Sequence, residues 1–191
     1  MLEDGLYQRF PRPDYALAMH VSSSLETGKF RLDPGIAFSS SDSIDLIVHG
    51  VGSHGASPHL GKDPVVIASQ IVLALQTLVA REISPMEPGV VTVGAFHAGT
   101  KHNIISDRAD LQLTVRSDRL ETRNRLLEGI KRIAENIGRA AGLPEDRLPE
   151  VRPPVASTLP TINDPEMTRR IRAALVSNFG EDAFVVEPRS G

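Results

Sequence analysis

Cysteine is absent from this 191-residue chain, and so is tryptophan. Without cysteine there is no disulfide, no thiolate metal ligand and no cysteine nucleophile, and the lack fits a reducing cytoplasm. Aromatic residues make up only 4% of the chain, too few for the stacking platforms that hold single-stranded nucleic acid. A formal net charge of −3 offers neither nucleic acid nor an anionic membrane an electrostatic attraction. No apolar segment approaches the roughly 20 residues that cross a bilayer, and the opening MLEDGLYQRFPRPD does not read as a signal peptide. The expectation is therefore no nucleic acid and no membrane. The G-x-S-x-G elbow, the P-loop and the dinucleotide fingerprint are missing as well.

What remains is the composition of a globular domain, with 40% hydrophobic and 24% charged residues and an aliphatic core of Val, Ile, Leu and Ala. PDYALAMHVSSS (residues 13–24) reads as a buried strand that delivers His20 to a serine-rich exit. SIDLIVHGV (43–51) alternates Ile44, Leu46 and Val48 with Asp45, Ile47 and His49, a strand with one buried face. In DPVVIASQIVLALQTLVAREI, Asp63 and Pro64 make a helix start, and Val65, Ala68, Val72, Leu75 and Val79 form its apolar stripe. GVVTVGAFHAG and ADLQLTVRSD read as two strands around a TKH turn. The second long helix follows in RLETRNRLLEGIKRIAENIGRAAG, with Leu120, Leu127, Ile130, Ile133, Ala134 and Ile137 as its stripe and Gly142 as its cap. The proline-rich 143–160 has room for one more edge strand. A capped helix (NDPEMTRRIRAALVSNFG) and a short strand (AFVVEP) close the chain.

Strand, helix, strand, strand, helix, strand is the order of an α+β, ferredoxin-like two-layer sandwich. It places a mainly antiparallel four-stranded sheet under two helices on one face. The flanks hold too little apolar surface to close a second core.

Candidate chemistry gathers in loops. VGSHGASPHLGKDP (51–64) carries His54 and His59 five apart among glycines. That is not the spacing that puts two ligands on one helix face, and two imidazoles alone do not complete a zinc site. Composition favours a polar turn; the alternative is a backbone kept small for a ligand, with an imidazole donating a hydrogen bond. His20 reads equally as a ligand at a strand end or as a half-buried histidine. HAGTKHNIISD (97–107) can hold a carboxylate or oxyanion with its donors, or simply be a hairpin turn. Arg116 is suited to pairing bidentately with a carboxylate, or sits on the surface against Asp118.

Taken in order, YALAMHV, GVGSHGASPHLGKDPVVIASQIVLALQTLVAR, VVTVGAFHAGTKHNIISDRADLQLTVRS and RLLEGIKRIAENIGRAAG resemble the dinuclear-metal amidohydrolases. The branch is that of hippurate hydrolases, indoleacetyl-amino-acid hydrolases and N-acyl-diaminopimelate deacetylases, related to the aminoacylase and carboxypeptidase metallopeptidases. The resemblance implies a catalytic domain holding two divalent ions (Zn, Mn, Co or Ni) and an inserted lid that forms a homodimer. It implies hydrolysis of an N-acyl amino acid or related amide, with a glutamate moving the proton. By this resemblance His20 is a metal ligand, and His54 is the lid histidine that reaches the partner's site and stabilises the oxyanion. Asn103 and Arg116 then bind substrate; His59 matches a recurrent position without a catalytic role.

The family's other metal ligands and its general base fall mainly before residue 1, and a further ligand is expected just after EPRSG. The chain has no cysteine-bearing motif and no Glu-Glu pair. It is therefore expected to be a fragment centred on the lid, without activity of its own and with metal absent or incompletely bound. In that reading 1–23 is the edge of a first catalytic segment of α/β type, 24–159 the lid, and 160–191 the start of a second catalytic segment. A stand-alone dimerisation or ligand-binding module is the alternative.

Overall fold

Alternation sets the central strand: Asp42, Ile44, Leu46 and Val48 are buried on one face of a nine-residue segment, the period-2 pattern of a sheet with one covered side. The computed structural model describes residues 3–154 and 156–186. In chain order the elements are α1 (Leu6–Arg9), β1 (Gly35–Phe38), β2 (Ser41–His49), β3 (Ser53–His54), α2 (Pro64–Thr77), β4 (Gly89–Ala98), β5 (Ile104–Ile105) and β6 (Arg108–Ser117). They continue with α3 (Leu120–Ala140), β7 (Glu150–Val151), β8 (Ala156–Thr158), β9 (Thr161–Asn163) and α4 (Pro165–Phe179).

The main sheet runs β4-β6-β2-β7, with β8 also on β2, and every pairing in it is antiparallel. This is the ferredoxin-like order, with the fourth strand supplied in two pieces on either side of Pro153 and Pro154. Proline lacks the N–H that a continuous strand would need there. The core lies between this sheet and α2 and α3, where Leu46, Ile71, Leu75, Leu111, Leu126 and Ile130 are fully buried. Each such side chain contributes roughly 1.5–3 kcal/mol by leaving water.

Helix ends follow the expected local chemistry. Val65 N–H donates to Asp63 Oδ1 (2.9 Å) ahead of Pro64, and Met167 N–H donates to Asp164 Oδ1 (2.7 Å) ahead of Pro165. At the end of α3, Gly142 takes φ 74°, while its N–H donates to the Arg139 carbonyl and that of Leu143 to the Gly138 carbonyl. That is a left-handed glycine cap, which satisfies the Gly138 and Arg139 carbonyls and leaves that of Ala141 for another donor.

The buried faces differ from the sequence reading. In α2 the buried stripe is Ile67, Ala68, Ile71 and Leu75, continued by Leu78, whereas Val65 is exposed. The segment is apolar almost all round, so period alone does not choose a face. In α3 Leu120 is exposed and Leu126 is buried instead. With its five-residue π-helical extension (Leu78–Glu82), α2 becomes a 19-residue run that is long and apolar enough to cross a membrane. This corrects the expectation that no segment approaches that length. Its stripe packs on the sheet, as a core helix does.

Residues 13–20 form no strand: the segment is exposed throughout, with Met19 at 93%. The expected buried strand has no neighbouring strand among the described residues to accept its hydrogen bonds. Outside the main sheet, β1 pairs with β9, Phe30 bridges to Phe184, and the Phe30 ring stacks on Phe179 and Phe184. Of α4 only Thr168 is buried, as expected of flanks that close no second core. The closing strand AFVVEP is reduced to the Phe184 bridge, and its last two residues lie outside the described ones. β1–β9 and β2–β8 lie along the same two chain segments, 35–43 and 156–163, making a double connection between sheet and flank.

Candidate functional site

Beyond the end of the sheet, β2 and β6 continue as a two-stranded arm. Gly50 N–H donates to the Asp107 carbonyl (2.7 Å), β3 pairs with β5, and Gly55 N–H donates to the Asn103 carbonyl (2.8 Å). One extra residue between β2 and β3 slips the register, a bulge of the kind that re-aims a strand end. The arm brings His54 and Asn103 together on one exposed tip.

His54 is defined chemically as well as spatially. Ala56 N–H donates to its Nδ1 (3.1 Å), so Nδ1 is the acceptor and the neutral ring carries its proton on Nε2. An N–H donor is thereby presented away from the arm, the form needed to hold a developing oxyanion. The 3₁₀ turn Pro58–Leu60 carries His59, exposed and outside β3.

Gly50 sits where the arm leaves the sheet. A Cβ there would lie 2.5 Å from the Lys62 carbonyl oxygen and 2.6 Å from Pro64 Cδ. Gly50→Ala is expected to cost about 2 kcal/mol through this overlap, read as a lowered urea midpoint. A wild-type midpoint would mean that the base of the arm yields freely.

Arg116 lies apart from the arm. It occupies the opposite end of β6, on the order of 25 Å along the strand from Arg108 at the arm's root. Val115 beside it is buried toward the helices, so Arg116 points to the sheet face opposite α2 and α3, which no helix covers among the described residues. Asp118, its alternative partner, accepts from Ser39 Oγ (2.7 Å), and Arg116 has no ion-pair partner among the described residues. The arm-side half of the same open face is a shallow depression of about 330 Å³ over Ile47, lined by Asp45, His97, Arg108, Asp110 and Arg152. There the Arg108 Nε lies 2.9 Å from both Asp110 oxygens and its hydrogen bonds hold that carboxyl below the usual carboxylate range.

His20 is exposed, its ring tilted against Phe38 at 5.5 Å, with Nδ1 donating to the Val21 carbonyl. That leaves the Nε2 lone pair outward, as in a metal-ligating histidine. Among the described residues no three His, Asp or Glu groups gather as metal ligands, so the donors described do not fit a pair of divalent ions.

The most enclosed charged group among the described residues lies outside the sequence-based candidates. Asp42, fully buried, receives Arg123 Nε (2.7 Å) and Nη2 (2.6 Å) in a bidentate pair. Ser157 Oγ donates to the same carboxylate (2.7 Å), and the hydrogen bonds to Asp42 hold the Arg123 guanidinium above its ordinary range. The signal was available: Asp42 shares the even-numbered face of Ile44, Leu46 and Val48, and a carboxylate on a core face requires a cation.

A family profile described as peptidase dimerisation domain matches residues 36–141. A hippurate hydrolase from Campylobacter jejuni is 40% identical over 140 residues, 73% of this chain and 36% of its own length. A thermostable carboxypeptidase from Saccharolobus solfataricus is 35% identical over 165 residues, 86% of this chain and 41% of its own. An N-acetyldiaminopimelate deacetylase from Leuconostoc mesenteroides is 32% identical over 167 residues, 87% of this chain and 42% of its own. The chain thus spans about two fifths of the length of these relatives. Among solved structures, one described as an aminohydrolase from methicillin-resistant Staphylococcus aureus superposes with a TM-score of 0.72. It is 32% identical and covers 90% of this chain and 44% of its own.

Proposed function

The chain belongs to the peptidase dimerisation domain family, and from that membership we propose that it forms the lid and dimerisation portion of a metal-dependent, cytoplasmic amidohydrolase. The substrate class is N-acyl amino acids or related amides, since two relatives are named for hydrolysing hippurate and for deacetylating N-acetyldiaminopimelate. In this reading 24–159 is the lid, and the segments on either side of it are edges of the catalytic body, where His20 offers one ligand to the metals.

The observation that carries the reading is the separation of the arm from Arg116. His54 and Asn103 cap one end of β6, and Arg116, which has no ion-pair partner among the described residues, occupies the other. One small substrate meets both a His54 donor and an Arg116 clamp only where two subunits face each other. We assign His54 to stabilising the oxyanion in the partner's site, Arg116 to the substrate carboxylate and Asn103 to substrate positioning. β4 pairs only with β6 among the described residues, and its open edge carries exposed Val90 and Phe96. It offers a second copy both backbone partners and apolar surface.

Sedimentation equilibrium tests the assembly: a dimer is expected for the wild type and a monomer for the Val90→Glu, Phe96→Glu double variant. A wild type that stays monomeric at high concentration sinks the proposal. Assayed on N-acyl amino acids with Zn, Mn, Co or Ni, the 191-residue chain is expected to show no turnover. Metal-dependent hydrolysis by the purified chain would contradict the assignment of chemistry to a separate body.

A further inference from the structure

Two cations fasten the base of the His54 arm to the end of a core helix. Val51 N–H donates to the Lys62 carbonyl (2.8 Å) and Lys62 N–H to the Val51 carbonyl (3.0 Å), closing the loop that carries His54. The Lys62 ammonium then donates to the Ala141 carbonyl (2.8 Å). That carbonyl belongs to the C-terminal end of α3, where free carbonyls and the negative end of the helix dipole favour a cation. From just beyond the same helix, Arg147 Nη2 donates to the Gly50 carbonyl (2.7 Å), at the other side of the loop base.

Both contacts run to residues 141–147, the segment that follows α3 directly, and α3 is fixed in the core by Leu126 and Ile130. β3 and β5 have two residues each, and so short a pair of strands does not hold a direction by itself. The direction of the arm is therefore set from its base, by charge-assisted hydrogen bonds that are stronger than neutral ones.

We propose that Lys62 and Arg147 are positioning residues for His54, clamping the arm so that its imidazole keeps one direction and one tautomer. The proposal rests on the reading of His54 as a donor to the partner's site, but its test does not. Amide hydrogen exchange and ring ¹⁵N shifts are measured by NMR on the full chain. With Lys62→Met or Arg147→Met, the Val51 and Gly55 amides are expected to exchange about tenfold faster, the loss of one charge-assisted hydrogen bond. The Leu46 and Leu111 amides in the core should be unchanged. His54 should move from a single Nε2–H form toward a mixture, and Lys62→Arg should restore both signals. His54→Ala leaves Val51 and Gly55 protected, so failure of the donor reading shows in activity and failure of the clamp shows in exchange. Unchanged arm amides, or arm and core amides rising together, overturn the proposal.

Discussion

Replacing Asp42 by alanine is expected to lower the unfolding free energy by about 3–5 kcal/mol, the loss typical of breaking a buried ion pair from one side. Asp42 has no exposed surface, and the Arg123 side chain is only 17% exposed. Without the carboxylate, Arg123 keeps its charge in a partly buried place with two donors unmatched, and Ser157 loses its acceptor. The damage reaches three elements at once, because the cluster joins side chains of β2, α3 and β8. A double variant, Asp42→Ala with Arg123→Met, should recover much of the loss, since it also removes the stranded cation. Urea unfolding of the two variants decides the matter. A single variant as stable as the wild type would show that Asp42 is not confined as described.

The second large effect concerns activity and requires a catalytic body. Residues 36–141 of this chain, placed in the corresponding segment of the Campylobacter hippurate hydrolase, give a hybrid that can be assayed on hippurate. There His54→Ala is expected to lower kcat by about 10²–10³, the cost of removing one oxyanion donor. Arg116→Ala should act chiefly on KM, because it removes an interaction made by the ground state and the transition state alike. Mixing the two variants then tests the arrangement across subunits. If His54 serves the partner's site, each mixed dimer contains one site with both residues intact, and activity returns. If both residues served the same subunit's site, no site in the mixture would be whole. Full kcat in a folded, dimeric His54→Ala hybrid would end the assignment.

The correspondence between sequence and structure follows the range of each interaction. Asp63-Pro64, Asp164-Pro165 and Gly142 were legible as helix ends because a cap is satisfied within two to five residues. The alternation in 43–51 and 109–118 marked two strands, observed at Ser41–His49 and Arg108–Ser117, and in the first of them the buried face of Ile44, Leu46 and Val48, since a pleat repeats every second residue. The resemblance in the loops supplied the candidate roles of His54, Asn103 and Arg116. Their placement, with two on one arm tip and the third at the far end of β6, came from the fold.

Other features were out of reach of local pattern. The centre of the α2 face is Ile67 and Ile71 rather than Val65, although Ala68 and Leu75 are buried as expected and Val72 and Val79 pack against the core; an almost wholly apolar helix is oriented by what it packs against. PDYALAMHVSSS has the composition of a strand, but a strand exists only where a neighbour accepts its hydrogen bonds, and none of the described residues does so there.

By itself the sequence determined the caps, the strand periods and the α+β order of elements, all set by groups a few residues apart. Tertiary structure alone decided that Asp42 meets Arg123 across 81 residues and that Arg147 reaches Gly50 across 97. Such pairs exist only once the sheet order has brought distant segments side by side, and no pattern confined to one segment encodes that order.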